Sequence, residues 1–472
     1  MKPLARNASS LFWIAVGLLA ASTLVMWWPA LDTPFWGDDY GFLHAAHATN
    51  AAGAPWWSDF WPASPPRFWR PLSQEGYWRW VDAVLGGDAH AAHGVNLALH
   101  ALASLGVALL GFRVARACDW LHAGRIAALA GTAYATLGLH LLPVHWVAAA
   151  NNAMLTLFTT LLLAAWVSAP GATRTLRTLL LASMPWLLAL ALLSKESAAL
   201  TPALMVVVAV FCGVRRPTRT LVVAWCACVA IVAFWLVLRA RFTANTDTAY
   251  DLTLGSNLVR NAASLVAWLL NVPREALRMA VFGERIPGLA WIAVTALPML
   301  AAWTIAGWRG RRLLTPLQWS CVPAFAILAY GPYFLFAWNS YEYYAAIAAI
   351  LPVIALARCV AADGLALAIA ALIAFSSWIG VEGTRRLDHP GLIGRARWAE
   401  STLQALERQS APATPLHVSV ADEQRFYAIG VWGLAWRLDV PLERITVARE
   451  CPTTGTCLVI EDDGRWHWRT KE

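Results

Sequence analysis

The sequence predicts an all-α polytopic membrane protein: a bundle of about eleven transmembrane helices over residues 1–380 with a large first outer loop, then a small α/β domain over residues 381–472. Three observations predict it. Apolar residues fill 59% of the 472 positions, mean hydropathy is +0.53 and only 14% of residues are charged, against roughly 45–50% apolar and 25% charged in soluble domains. Apolar runs of about 17–22 residues, long enough to cross a hydrocarbon core, recur along the chain. Basic residues gather at alternate ends of those runs, the pattern that fixes orientation in a bilayer.

The first run begins near Leu11 and ends at Trp27-Trp28-Pro29, where a cleavage site would need small residues, so it reads as a permanent helix. Residues 29–90 follow as the first outer loop. Further runs begin near Ala91, Ile126, Asn152, Leu179, Ala198 and Leu221. Residues 240–288 form a second outer segment, in which Arg274, Glu275, Arg278, Glu284 and Arg285 suggest amphipathic helices on the surface. The last runs begin near Leu289, Leu317, Ala345 and Leu365.

With Lys2 and Arg6 in the cytoplasm, the loops on that side carry Arg113, Arg116, Arg125, Arg174, Arg177, Arg215, Arg216, Arg219, Arg309, Arg311, Arg312 and Arg358, against only Asp119 and Asp363. This distribution predicts a multi-pass protein of the cell inner (plasma) membrane, with a cytoplasmic amino terminus and a periplasmic, extracytoplasmic tail. It also spreads the net charge of +8 over helix ends instead of one patch, so membrane lipids and not nucleic acid are the expected surroundings. The 28 Trp fit the headgroup layer.

The tail differs in kind. His417–Val420 and Leu458–Ile460 read as short strands and Arg395–Arg408 as a charged helix, enough for a small mixed domain. Cys451 and Cys457 lie on the oxidising side and are the expected disulfide pair; the other six cysteines map to helices or to the reducing side. Cys226 and Cys228 point to different faces of one helix, so no metal-ligand pattern is present.

The outer loops carry the candidate chemistry. Asp38-Asp39 follows the first helix, and carboxylates near hydrocarbon persist where they face water, a cation or a substrate. Arg67 and Arg70, separated by aromatics and ended by Pro71, suit the oxygens of a phosphate. His93, Asn96 and His100 share one helix face. Pro143 and His145 precede Asn151-Asn152, and Leu193-Ser194-Lys195-Glu196 forms a later outer turn. Duller readings stand beside each of these. The Asp pair would serve as a helix cap, the arginines would contact lipid headgroups, the histidines would hydrogen-bond inside the bundle, and Lys195-Glu196 would be a self-satisfying ion pair. Tyr341-Glu342-Tyr343-Tyr344 reads first as an aromatic belt, with Glu342 the one further site candidate.

Taken in order, the Asp pair, Arg70-Pro71-Leu72, Asn96 with His100, Pro143 with His145, and Leu193-Ser194-Lys195-Glu196 resemble the GT-C superfamily of membrane glycosyltransferases. The likeness covers about the first 215 residues and is strongest to the branch holding the tetratricopeptide-linked O-mannosyltransferases and their bacterial relatives. It implies a GT-C-like bundle and an enzyme that moves a sugar, hexose or similar, from a polyprenyl-phosphate carrier to an extracytoplasmic acceptor. It further implies an acidic base in the first outer loop, at Asp38 or Asp39. The arginines Arg67 and Arg70, with Lys195, would then face the donor phosphate, and His100, His145, Asn152, Glu196 and Glu342 complete the candidate set.

The chain departs from the family at Ala150-Asn151-Asn152-Ala153, where relatives carry a Gly-Arg-acid segment, and it lacks the eukaryotic branch's carboxyl-terminal repeats. The acceptor stays open among protein, lipid and envelope glycan. No cofactor is assigned; one acid pair leaves a divalent metal possible without a complete set of oxygen ligands. A transporter or lipid-linked-sugar flippase, or a non-catalytic envelope assembly protein, is the alternative.

Overall fold

The computed structural model describes residues 2–62, 66, 68–214, 216–243, 250–337, 340–362, 364–388, 391–409 and 415–471, with side chains described between residues 10 and 470. Arg67, Arg215 and Asp363, all used in the sequence reading, lie outside the described residues.

The chain opens with α1 (Lys2–Trp27); the first outer loop then holds α2 (Asp38–Ala51) and α3 (Tyr77–Leu85). The bundle continues with α4 (Ala89–Ala117), α5 (Ala123–Thr136), α6 (Leu141–His145), α7 (Ala150–Ser168), α8 (Arg174–Ser194), α9 (Thr201–Phe211) and α10 (Arg219–Phe242). The second outer segment contributes α11 (Ser256–Leu269) and α12 (Arg274–Phe282), and α13 (Arg285–Gly310), α14 (Pro316–Phe334), α15 (Ile350–Val360) and α16 (Leu365–Arg386) complete the apolar part. Each predicted apolar run is helical. Among the described residues seven helices are long and apolar enough to cross a membrane, and an eighth arises if Ala123–Thr136 and Gly138–His145, bent by 55°, count as one span. Glu196–Phe211 and Ile350–Val360 are shorter.

Capping and small residues explain much of the local order. Asp88 accepts hydrogen bonds from the amides of His90 and Ala91 at the start of α4, and Thr315 with Gln318 forms a capping box on α14. The helices approach closely where side chains are small: a Cβ on Gly131 would sit 2.7 Å from Ala108 Cβ, and Gly106 meets Thr160. The eleven-residue α15 is almost wholly buried, so its apolar sequence serves the bundle core.

The tail starts beyond Arg386, where α16 ends. It comprises α17 (Leu392–Glu407), β1 (Leu416–Val420), α18 (Glu423–Phe426), α19 (Gly430–Leu438), β2 (Ile445–Ala448), β3 (Gly455–Ile460) and β4 (Trp466–Lys471). The sheet order is β2-β1-β3-β4, with β1 parallel to both neighbours and β4 antiparallel to β3. Cys451 and Cys457 are joined in a disulfide with Cα atoms 5.8 Å apart. The tail is not a free appendage. Phe35, Tyr40, Leu43 and Trp78 of the first outer loop share one core with Leu403, Val418, Leu434 and Leu458 of the tail. The Gly37 amide donates to Ala428 O at 2.9 Å, and Gly37, at φ +59°, lies against the Tyr427 ring where a Cβ would collide.

Candidate functional site

The two aspartates at the start of α2 have separate environments. Asp39 is 0% exposed; its Oδ1 accepts from the Ala148 amide at 2.7 Å and its Oδ2 from the Trp36 amide at 3.1 Å. Burial pushes this carboxyl well above its ordinary range, with the two backbone amides opposing. Trp36 stacks on Trp146 with ring centroids 5.0 Å apart and its indole donates to His145 O. Asp39 thus fastens residues 146–148 to the first outer loop. Asp38 is half-buried and hydrogen-bonded to Tyr427 of the tail.

A cationic group lies across the 146–152 stretch from Asp39. Lys195, 5% exposed, donates to Asn152 Oδ1 at 2.6 Å, and its ammonium lies 4.9 Å and 5.3 Å from the ring centres of Tyr343 and Tyr344. Burial holds it well below the usual lysine range, with Arg70 acting in the same direction and Glu196 against both. Arg70 grips Glu196 in two-pronged fashion, Nε to Oε1 at 2.9 Å and Nη2 to Oε2 at 2.7 Å, and its guanidinium covers the Phe68 ring. The duller reading of Lys195-Glu196 as its own ion pair is replaced: Glu196 belongs to Arg70, 126 residues away in sequence, because the turn after α8 directs the two side chains to different partners.

The tyrosines also depart from the belt reading. Tyr343 and Tyr344 are buried, Tyr344 stacks on Tyr333 with centroids 4.2 Å apart, and Tyr341 stacks on Tyr343. Together they make a wall inside the bundle rather than an anchor at its surface. Arg274, at the start of α12, places its guanidinium 4.2 Å from the Tyr341 ring centre. The Arg-Glu mixture around Arg274 reads as an amphipathic helix on the surface; Glu275 is instead buried and Arg274 turns toward the wall. Glu342 is 3% exposed, and burial with the nearby Glu275 carboxylate pushes it up to about 7. Behind the wall a narrow pocket is lined by Asn152, Thr159, Ser197, Thr201, Tyr333, Tyr343 and Tyr344.

The histidines gather elsewhere. His100 Nε2 meets Ala135 O at 3.1 Å, His145 Nδ1 meets Leu141 O at 3.0 Å, and Trp27 packs edge-on against both rings. Asn96 accepts from the Tyr77 hydroxyl and donates to Pro143 O and Trp146 O. These groups hold the broken helix around residues 140–148 through backbone carbonyls. Of the sequence candidates, the structure brings together Arg70, Asn152, Lys195 and Glu196; Arg67 lies outside the described residues. Sequence reasoning missed Arg274, the tyrosine wall and Tyr427. The spacing of Tyr341, Tyr343 and Tyr344 around an acid was the available signal for the wall, and none existed for Tyr427. Among the described residues no group of three or more His, Cys, Asp or Glu is placed to hold a metal ion.

No protein-family model and no curated protein matches this chain. Two solved structures are similar to it, both of ArnT from Cupriavidus metallidurans. The apo form is 15% identical, with 93% of this chain and 86% of that one covered at a TM-score of 0.44. The form bound to undecaprenyl phosphate is also 15% identical, with 95% and 93% covered at a TM-score of 0.42.

Proposed function

We propose that this chain is a GT-C-type membrane glycosyltransferase that takes a sugar from a polyprenyl-phosphate carrier and passes it to an extracytoplasmic acceptor. The observation that carries this reading is the pair of cations Lys195 and Arg274 lying over Tyr341, Tyr343 and Tyr344, with Arg70 near enough to act on Lys195. A lipid-linked phosphate enters from the bilayer, so cations at the end of a bundle meet it without a nucleotide fold. Lys195, depressed by burial, regains full charge when an anion arrives, and phosphate binding therefore takes up a proton. Arg274 adds a second charge, while Glu196 fixes Arg70 and leaves its Nη1 edge for the ligand.

Asp38 is the proposed base. The acceptor's oxygen or nitrogen attacks the anomeric carbon and gives its proton to Asp38, while the bond from that carbon to the phosphate oxygen breaks and the electron pair leaves with the polyprenyl phosphate. Asp39, bound by two amides, is a positioning residue that sets the turn. The motif order supports a place beside the tetratricopeptide-linked O-mannosyltransferases with mannose or another hexose transferred. The arginine distribution supports an inner-membrane protein with a cytoplasmic amino terminus and a periplasmic tail.

Mass spectrometry of envelope lipids, glycans and proteins from cells with and without the gene tests the proposal. A product one glycosyl unit heavier, present with wild type and absent with Asp38→Asn, is the expected result. Identical profiles in the three strains would contradict it.

A further inference from the structure

Arg70 leads into an unusual piece of backbone. Residues Pro71–Gly76 form a π-turn, with Arg70 at its N-cap, before the chain resumes as α3. Such turns are rare and occur often at functional sites. This one is held rigidly: Ser73 Oγ donates to Ser194 O at 2.7 Å, the Gln74 amide donates to Arg70 O at 3.0 Å, and a Cβ on Gly76 would stand 3.1 Å from Pro71 O. The Ser73 bond ties the turn to the residue just before Lys195.

Two oxygens on this turn, Gln74 Oε1 and Glu75 Oε2, are buried and have no hydrogen-bond partner among the described residues. Folded proteins pair nearly all such atoms, so two on one turn mark a place where a hydrogen-bond donor is wanting among the described residues. Glu75 lies within the field of Arg70, Glu196 and Asp59. It therefore adjoins the Arg70–Glu196 pair assigned to the donor phosphate, and in a glycosyl phosphate the sugar ring is one bridging oxygen away from the phosphorus.

We infer that Gln74 and Glu75 form a hydroxyl-recognition subsite for the sugar of the lipid-linked donor and determine which sugar is accepted. The inference rests on the glycosyltransferase reading and deepens it. Gln74 Oε1 takes a hydrogen bond from one ring hydroxyl. Glu75, whose carboxyl burial pushes up to about 8 with Asp59 adding to the effect, is mostly protonated at neutral pH and both gives and takes a hydrogen bond. A site built to pair with hydroxyls discriminates strongly against a ligand that lacks them or presents them in another arrangement.

The test uses the full chain in lipid nanodiscs, with Kd measured for bare decaprenyl phosphate and for its mannosyl, glucosyl, galactosyl and arabinosyl esters. Wild type should bind at least one glycosylated carrier about tenfold or more tighter than the bare one. Gln74→Leu and Glu75→Leu should each erase most of that preference while leaving the Kd for bare carrier unchanged, and Glu75→Gln should restore part of it. Variants that keep the preference, or that weaken bare and glycosylated carriers equally, would overturn the subsite, as would a wild type that binds every ester no better than bare carrier. A wild type that bound no polyprenyl phosphate at all would instead sink the glycosyltransferase reading, and this inference with it.

Discussion

The histidine cluster and the tyrosine wall both set polar groups inside the bundle, and they handle the cost of burial differently. His100 and His145 each hold one backbone carbonyl and pack against Trp27, and His145 Nε2 is buried without a partner among the described residues. Lys195, Arg70 and Arg274 are cations laid on aromatic rings, and the carboxyls of Glu275 and Glu342 beside them keep an unpaired oxygen each. The first arrangement finds its partners in the backbone and gathers no cation; the second gathers cations, whose charge an anion would complete. Depth of burial therefore does not separate scaffold from site here, whereas the kind of partner does. The aspartate pair divides along the same line, with Asp39 answered by backbone amides and Asp38 by a side chain.

The largest expected effect separates those two aspartates. Asp38→Asn should lower sugar transfer by about 10²–10⁴-fold with little change in melting temperature. Asp39→Asn should destabilise the protein by about 1–3 kcal/mol, because one amide loses its acceptor; equal losses of activity without a change in stability would erase the distinction. Next in size, Lys195→Met or Arg274→Met should reduce transfer by about 10²–10³-fold. In contrast, His100→Leu should cost about 1–3 kcal/mol of stability and leave the turnover of the folded fraction within about threefold, read by thermal melting beside a transfer assay. A His100 variant that folds normally yet fails to transfer would move the histidines into the site.

The pattern of hydropathy and arginines made the bundle legible, since a helix closes its hydrogen bonds within its own segment and needs no distant partner to form, even where a run is broken as around Thr136–Gly138. Strands β1 and β3 were legible from their short apolar, β-branched runs, although each forms only by pairing with distant strands. β2 is short and largely exposed, and β4 alternates Trp466 and Trp468 with polar residues in a segment too short to distinguish from a loop, so both escaped notice. The site was legible only in part. Lys195 and Asn152 fell inside recognisable motifs, but the Arg70–Glu196 pair joins residues far apart in the chain, and two adjacent carboxylates give no sign of which faces inward. Arg274 was hidden because alternating charges on a helix usually mean a wet face. Tyr427 enters through the shared core of tail and first loop, a contact that composition does not encode.

The smallest expected effect is a pH dependence that sharpens the contrast. Burial pushes Glu75 up to about 8 and, with the neighbouring Glu275, pushes Glu342 above its ordinary 4.5 as well. Between these limits the native state binds more protons than the unfolded chain, so stability should fall as pH rises from about 5 toward 8 and level off above. Glu75→Gln and Glu342→Gln should each flatten part of that slope, by on the order of a few degrees in Tm. A slope unchanged in both variants would show that neither carboxyl is held neutral.

The central claim, that the cations along the tyrosine wall receive a lipid-linked phosphate, is tested most directly by equilibrium binding of decaprenyl phosphate to the full chain in nanodiscs. Wild type should bind it, and Lys195→Met together with Arg274→Met should weaken binding by about tenfold or more, while His100→Leu leaves it unchanged. Equal affinity in wild type and the double variant would contradict the account.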